Sequence, residues 1–247
     1  MKPCICIVAL MLALASGPAV AQERPEEVST IVVTGEGTSE AYPDMFIVDA
    51  VVQGRGATQT AALRELADAQ ARLLDAWPRL DGLTEGQTTT GNISVEPRRD
   101  PECENNARRD DVCPILGYVA VSAIALRGAP ADRAGDAVSL ASELGANTAR
   151  LDEYALSNRQ RLRESANRAA FEDARRQASL LAEAAGRRLG RIVRIQDPSA
   201  ARYNSDEATQ ISEIVVVGSR IRPSVSIGAA PAPIEVTARI TVVFEIE

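Results

Sequence analysis

Between Asn158 and Gly190 apolar residues recur every three or four positions, at Leu162, Ala166, Ala169, Ala170, Ala174, Ala178, Leu181, Ala182, Ala185 and Leu189. That spacing predicts one long amphipathic helix over about 158–189. Unbroken, it would run on the order of 45–50 Å. Ser157 or Asn158 can cap its start and Gly190 can end it. Its polar side holds Glu164–Arg168, Glu172–Arg176 and Glu183–Arg187, each acid four residues before its base. Such pairs contribute about 0.2–0.5 kcal/mol each. The stripe is mostly alanine, so a partner can approach closely.

A second helical pattern spans Thr58 to Trp77, with Ala62, Leu66, Ala69, Leu73, Ala76 and Trp77 on one face and Pro78 after it. A third spans Pro130 to Gly145, where Ala134, Val138, Ala141 and Leu144 align. Strand patterns fill much of the rest. Thr30–Thr34 and Met45–Val52 flank Gly35, Gly37 and the Pro43-Asp44 turn, and read as a hairpin or two adjacent strands. Thr88–Glu96, Leu116–Arg127, Thr148–Ser157 and Arg191–Gln196 are further strands, and Ser199–Gln210 reads as a polar loop. The last segment, Ile234 to Glu247, alternates throughout, with Ile234, Val236, Ala238, Ile240, Val242, Phe244 and Ile246 on one face. At roughly 40–45 Å it matches the long helix in length, and the two are expected to pack as layers. The fold class is α+β, with mixed or antiparallel sheets covered by three helices.

The first residues differ from all of this. Lys2 precedes an apolar run from Ile5 to Ala15, then Gly17-Pro18 and the small-residue site Ala19-Val20-Ala21. Residues 1–21 are expected to be a secretory signal peptide cleaved after Ala21, removing Cys4 and Cys6. The run is too short for a membrane span. Residues 22–29 read as a flexible arm. Residues 30–247 form the folded unit, with two sublobes at 30–127 and 128–247 as its candidate division.

Composition narrows the chemistry. The chain has 247 residues, a net charge of −7 and no histidine. Acidity gives no electrostatic basis for binding nucleic acid or anionic lipid. Without histidine there is no Ser-His-Asp triad and no imidazole metal ligand. Aromatic residues are only 3%, so the core is expected to rest on Ala, Val, Ile and Leu. Gly35-Glu36-Gly37 begins like a phosphate loop, but Glu40 stands at the third glycine position and would repel phosphate. Acidic pairs such as Asp110-Asp111 and Glu172-Asp173 could serve acid–base chemistry, but adjacent residues point apart and charge runs are usually solvated. The polar stretch Arg98 to Pro114 reads as a surface loop holding Cys103 and Cys113. In an exported protein these two are expected to pair, contributing roughly 2.5–3 kcal/mol by loop-closure entropy. Redox chemistry lacks a CxxC spacing, and zinc lacks ligands. No cofactor is indicated.

The segment IVVTGEGTSEAYPDMFIVDAVV resembles the N-terminal motif of SIMPL-domain proteins, with Gly35, Gly37, Pro43 and Asp44 in place and Phe46 where a small residue is usual. GYVAVSAIALR, the helix ending in ELGAN, and RESANRAAFEDARRQASLLAEAAGRRLGRIVRI resemble the family's second half; Ala166, Ala169, Ala170, Ala174, Arg175, Ala178, Leu181, Ala182 and Gly190 fit its pattern. The resemblance covers about Thr30 to Glu247. It implies an exported bacterial envelope protein, in a family that includes periplasmic immunogenic proteins, members linked to oxidative-stress tolerance, and ring-like homo-oligomers. It implies no catalytic residues.

Three functions compete. The first is a non-enzymatic periplasmic protein that self-assembles. The second is an enzyme of unspecified class. The third is a periplasmic adaptor, with association at the outer membrane as a second expected location, that binds an envelope partner through 213–222. Its candidate residues are Glu213, Ile214, Val215, Val216, Val217 and Gly218, in a stretch similar to the segment near the TonB-contacting end of many outer-membrane receptors. Such a β-branched stretch could extend a partner's sheet, although an ordinary strand before a proline turn is the better explanation of it. A membrane barrel would need aromatic girdles that this composition lacks.

Overall fold

A computed structural model describes residues 29–106, 113–197 and 219–247. The strands are β1 (Thr30–Ala41), β2 (Met45–Gly56), β3 (Glu85–Arg99), β4 (Ile115–Ala129), β5 (Thr148–Ala155), β6 (Leu189–Gln196) and β7 (Ile234–Ile246). The helices are α1 (Gln59–Ala76), α2 (Pro101–Asn106), α3 (Ala134–Glu143) and α4 (Arg159–Ala184). One sheet has three strands in the order β1-β7-β6; the other has four, β3-β4-β2-β5. Every pairing within them is antiparallel. The fold is α+β, as the pattern of elements predicts.

β1 and β2 are not a hairpin. β1 pairs along its whole length with β7, Thr30 opposite Glu245 and Ala41 opposite Ile234, while β2 lies between β4 and β5 in the other sheet. Alternation tells which face of a strand is buried, not which strand lies beside it, and Tyr42-Pro43-Asp44 passes the chain from one sheet to the next. Both sheets draw residues from each side of position 127: β1 joins β6 and β7, whereas α3 and β5 join β2, β3 and β4. Strand β3 extends to Glu85 and Arg99, and the expected loop after it opens with the short helix α2.

Each sheet builds a core against a helix. On the larger one, Phe46, Val48, Ala50 and Val52 of β2 and Ile124 and Leu126 of β4 meet Leu66, Leu73 and Trp77. Trp77 is fully buried and its indole N–H donates to the Ala137 carbonyl at 2.8 Å. Three aromatics occupy the centre, contrary to a core of aliphatic residues alone: Trp77, Phe46 and Phe244 head the largest buried side chains. Phe46 has room because it faces Gly128, where a Cβ would come within 2.5 Å of its ring. On the smaller sheet, Val33, Ala238, Ile240, Val242 and Phe244 pack against α4, so the alternating last strand and the long helix do form layers.

α4 buries one row at strict four-residue spacing: Leu162, Ala166, Ala170, Ala174, Ala178 and Ala182. Leu181 and Ala185 are exposed, so the stripe is narrower than the periodicity suggests. Asn158 caps the helix, accepting from the Arg161 N–H at 3.0 Å. The helix ends at Gly186, not Gly190. Gly186 adopts φ +69°, and the Arg187 N–H reaches back to the Ala182 carbonyl at 2.9 Å, closing a Schellman turn. Of the expected four-residue ion pairs, Arg176 instead binds Asp173 and Glu164 accepts from Gln160. On an exposed face, where each pair contributes little, such alternative partners compete readily.

Two junctions tie the sheets together. Asp44 accepts from the Ser157 N–H at 2.7 Å and from its hydroxyl, and donates its own N–H to the Ala155 carbonyl at 3.2 Å. The Pro43-Asp44 turn is thereby pinned to the start of α4. The second junction is a strap, residues 219–233, which runs over residues 79–81 and α3 before β7 begins. Ile221 bridges Leu80, Arg222 pairs with Asp81 at 2.5 Å, and Ser224 donates twice to Glu143. Buried Asp136 accepts from Ser226, the Ile227 N–H and Arg133.

The Arg222 hydrogen bond holds the Asp81 carboxyl below its ordinary value, and the Ser224 hydroxyl does the same for Glu143. Depressed carboxylates stabilise the fold above their unfolded pKa, and that contribution is lost as pH falls through the folded value. Amide exchange at Ile221 and Ser224 should therefore accelerate, relative to β4 amides, as pH drops below about 4. An Asp81→Asn/Glu143→Gln variant should lack that extra acceleration.

Candidate functional site

The most constrained local geometry occurs twice. In β1, Gly35-Glu36-Gly37 faces α4: a Cβ on Gly35 would lie 2.1 Å from the Ala170 carbonyl oxygen and 2.4 Å from the Ala174 nitrogen, and one on Gly37 would lie 2.2 Å from the Ala170 nitrogen. In β2, Gly54-Arg55-Gly56 faces α1: a Cβ on Gly54 would lie 2.3 Å from both the Ala62 oxygen and the Leu66 nitrogen, and one on Gly56 would lie 2.5 Å from the Ala62 nitrogen. The central N–H of each triplet donates to a helix carboxylate, Glu36 to Asp173 at 3.1 Å and Arg55 to Glu65 at 3.0 Å. The helices present the same pattern, Ala170-x-x-Asp173-Ala174 and Ala62-x-x-Glu65-Leu66. The two lobes thus share one building unit. Hydrogen bonding from the Glu36 N–H lowers the Asp173 pKa, which identifies this member of the Glu172-Asp173 pair as a structural acceptor.

Gly37→Ala should destabilise the protein by about 1–3 kcal/mol in urea denaturation, because helix backbone cannot yield to a Cβ at 2.2 Å. Gly91→Ala, where the nearest atom lies at 3.5 Å, should change stability by less than about 1 kcal/mol.

Cys103 of α2 and Cys113 are joined by a disulfide, with Cα atoms 5.7 Å apart. Arg99 donates to the Cys113 carbonyl at 3.1 Å and the Asp100 N–H to the Pro114 carbonyl at 3.2 Å, so the bond closes the far end of the β3–β4 ribbon, away from both cores. Glu213, Ile214, Val215, Val216, Val217 and Gly218 lie outside the described residues, as do Asp110-Asp111 and residues 1–28. Among the described residues no group of three or more Cys, Asp or Glu side chains is placed to hold a metal ion.

A recess absent from the sequence reading lies beside α4. The helix covers β1 and β7 and meets β6 only at its margin. The uncovered strip forms a trough of about 510 Å³, with Phe171, Arg175 and Ser179 on its helix wall and Leu189, Ile192 and Phe244 beneath. Arg191 stands at the rim, paired with Glu245 at 2.5 Å. Arg175 makes no ion pair among the described residues. The sequence signal was present as the four-residue series Phe171, Arg175, Ser179, but such a series only marks a helix flank until the sheet beneath it is known.

Glycine triplets set against alanine helices, two antiparallel sheets and a long final strand define the class of protein. The chain belongs to the SIMPL family, described as a protein of unknown function (DUF541), which it matches over residues 31–244. It is 30% identical over 185 residues to the 26 kDa periplasmic immunogenic protein of Brucella melitensis, covering 74% of this chain and 72% of that protein. The protein of the same name from Brucella abortus matches with the same identity and coverage.

Replacing both cysteines (Cys103→Ser, Cys113→Ser) should lower stability by at most about 3 kcal/mol. Amide protection in the β2–β4 ladder should persist, since neither core touches the bond.

Proposed function

We propose that this chain is a non-enzymatic protein of the bacterial envelope that works in the periplasm, assembles with copies of itself and supports stress tolerance. Its relatives are named as periplasmic proteins, and residues 1–21 have the form of an export signal. Among the described residues no helix is long and apolar enough to cross a membrane.

The observation that carries self-assembly is β3. Among the described residues this 15-residue strand forms the outer edge of the larger sheet, paired with β4 on one side only. Most of its residues are exposed, and Ile93 is 56% exposed. A long open edge with apolar positions is a template for pairing with another chain. The adaptor reading is less favoured, because Ile221 and Arg222, at the described end of its segment, are bound to Arg79, Leu80 and Asp81 of the same chain.

Sedimentation velocity should give an integer multiple of the monomer mass, unchanged by reductant. Ile93→Lys should shift the population toward monomer without altering the thermal midpoint of the isolated monomer. A monomer at every accessible concentration would remove the proposal.

A further inference from the structure

The trough beside α4 has the attributes of a small-molecule site rather than a packing defect. Its 510 Å³ lies within the range of ligand pockets, about 300–1,000 Å³. Its lining is mixed, more polar than apolar: Phe171, Leu189, Ile192 and Phe244 supply the apolar part, and of the floor Ile192 is 43% exposed and wetted in the free protein while Phe244 is buried. Two polar groups converge on it from one helix turn, the Arg175 guanidinium and the Ser179 hydroxyl. The charge balance is specific. Arg191 is neutralised by Glu245, while Arg175 has no acidic partner among the described residues, which leaves one positive charge beside Phe171 and the exposed Ile192.

We propose that this trough binds a small amphipathic carboxylate, an aliphatic or aromatic acid whose head group meets Arg175 and Ser179 and whose body lies on Phe171, Leu189, Ile192 and Phe244. A planar monoanion matches the guanidinium fork, which can engage both oxygens, and the hydroxyl adds a further donor. A phosphate dianion would leave one charge uncompensated, and a cation would be repelled. The apolar body supplies affinity by removing the exposed floor from water. The site does not use the disulfide, the β3 edge or the strap, so it is independent of assembly.

Equilibrium dialysis of the purified protein against radiolabelled decanoate tests this whatever the oligomeric state. Saturable binding of one decanoate per chain is expected. Arg175→Gln should weaken it by about tenfold or more, the loss of a charge-assisted contact. Arg175→Lys should retain part of it, and Ser179→Phe should abolish it by filling the trough. Unlabelled decyltrimethylammonium should not compete. Non-saturable uptake, equal binding by Arg175→Gln, or competition by the cationic detergent would overturn the assignment. So would displacement by a blocked tripeptide with a free C-terminal leucine more tightly than by decanoate, which would reassign the trough to a peptide terminus.

Discussion

The fold depends on how closely two helices can approach two strands. At Gly35 and Gly37, and again at Gly54 and Gly56, strand backbone lies against helix backbone with no room for a side chain. Alanine on the helices and glycine on the strands are the two halves of that requirement. Close approach has a second effect. It brings the Asp173 and Glu65 carboxylates within reach of the Glu36 and Arg55 N–H groups. β1 is an edge strand, and β5 pairs with β2 only as far as Val51. Both N–H groups would otherwise be unpaired strand-edge donors, and the helices cap them at the point of closest contact.

The remaining architecture distributes two such units along one chain. Since β1 pairs with β7, the smaller sheet closes only when the first and last strands meet, across the whole larger lobe. Contacts of that separation cost loop entropy before they return any stability. The Asp44–Ser157 junction and the strap over residues 79–81 and α3 reduce the freedom of the two lobes by fixing where the chain crosses between them. The trough follows from the same arrangement. A single helix held tightly over β1 by its glycines cannot also cover β6, and among the described residues the third strand is left open on that face.

Much of this was legible in the sequence, and the failures have physical causes. The buried face of α1 follows its pattern residue for residue, because a helix ending at Trp77-Pro78 against one sheet obeys the simple periodicity. The α4 stripe was overestimated: alanine is apolar enough to count but small enough that only one row touches, leaving Leu181 in water. Gly186 read as an interior glycine because Leu189 continued the spacing, yet Leu189 belongs to the next strand. Strand partnership was not legible, since alternation carries no information on neighbours, and β1 and β2 were therefore placed together. The equivalence of Gly35 and Gly37 to Gly54 and Gly56 is hidden in the sequence because the two helices follow at different distances along the chain. The Cys103–Cys113 pairing was readable from export and cysteine number alone, whereas the trough required the offset of α4 over its sheet.

Helix and strand backbones touch at both glycine triplets, so that helix carboxylates cap the strand edges. Residue-resolved amide exchange tests it directly. The Glu36 and Arg55 N–H groups should exchange as slowly as ladder amides of β4. Those of Thr34 and Thr38, which by antiparallel alternation point to the same open edge of β1 as Glu36, should exchange faster. Glu36 and Arg55 exchanging as fast as Thr34 and Thr38 would contradict it.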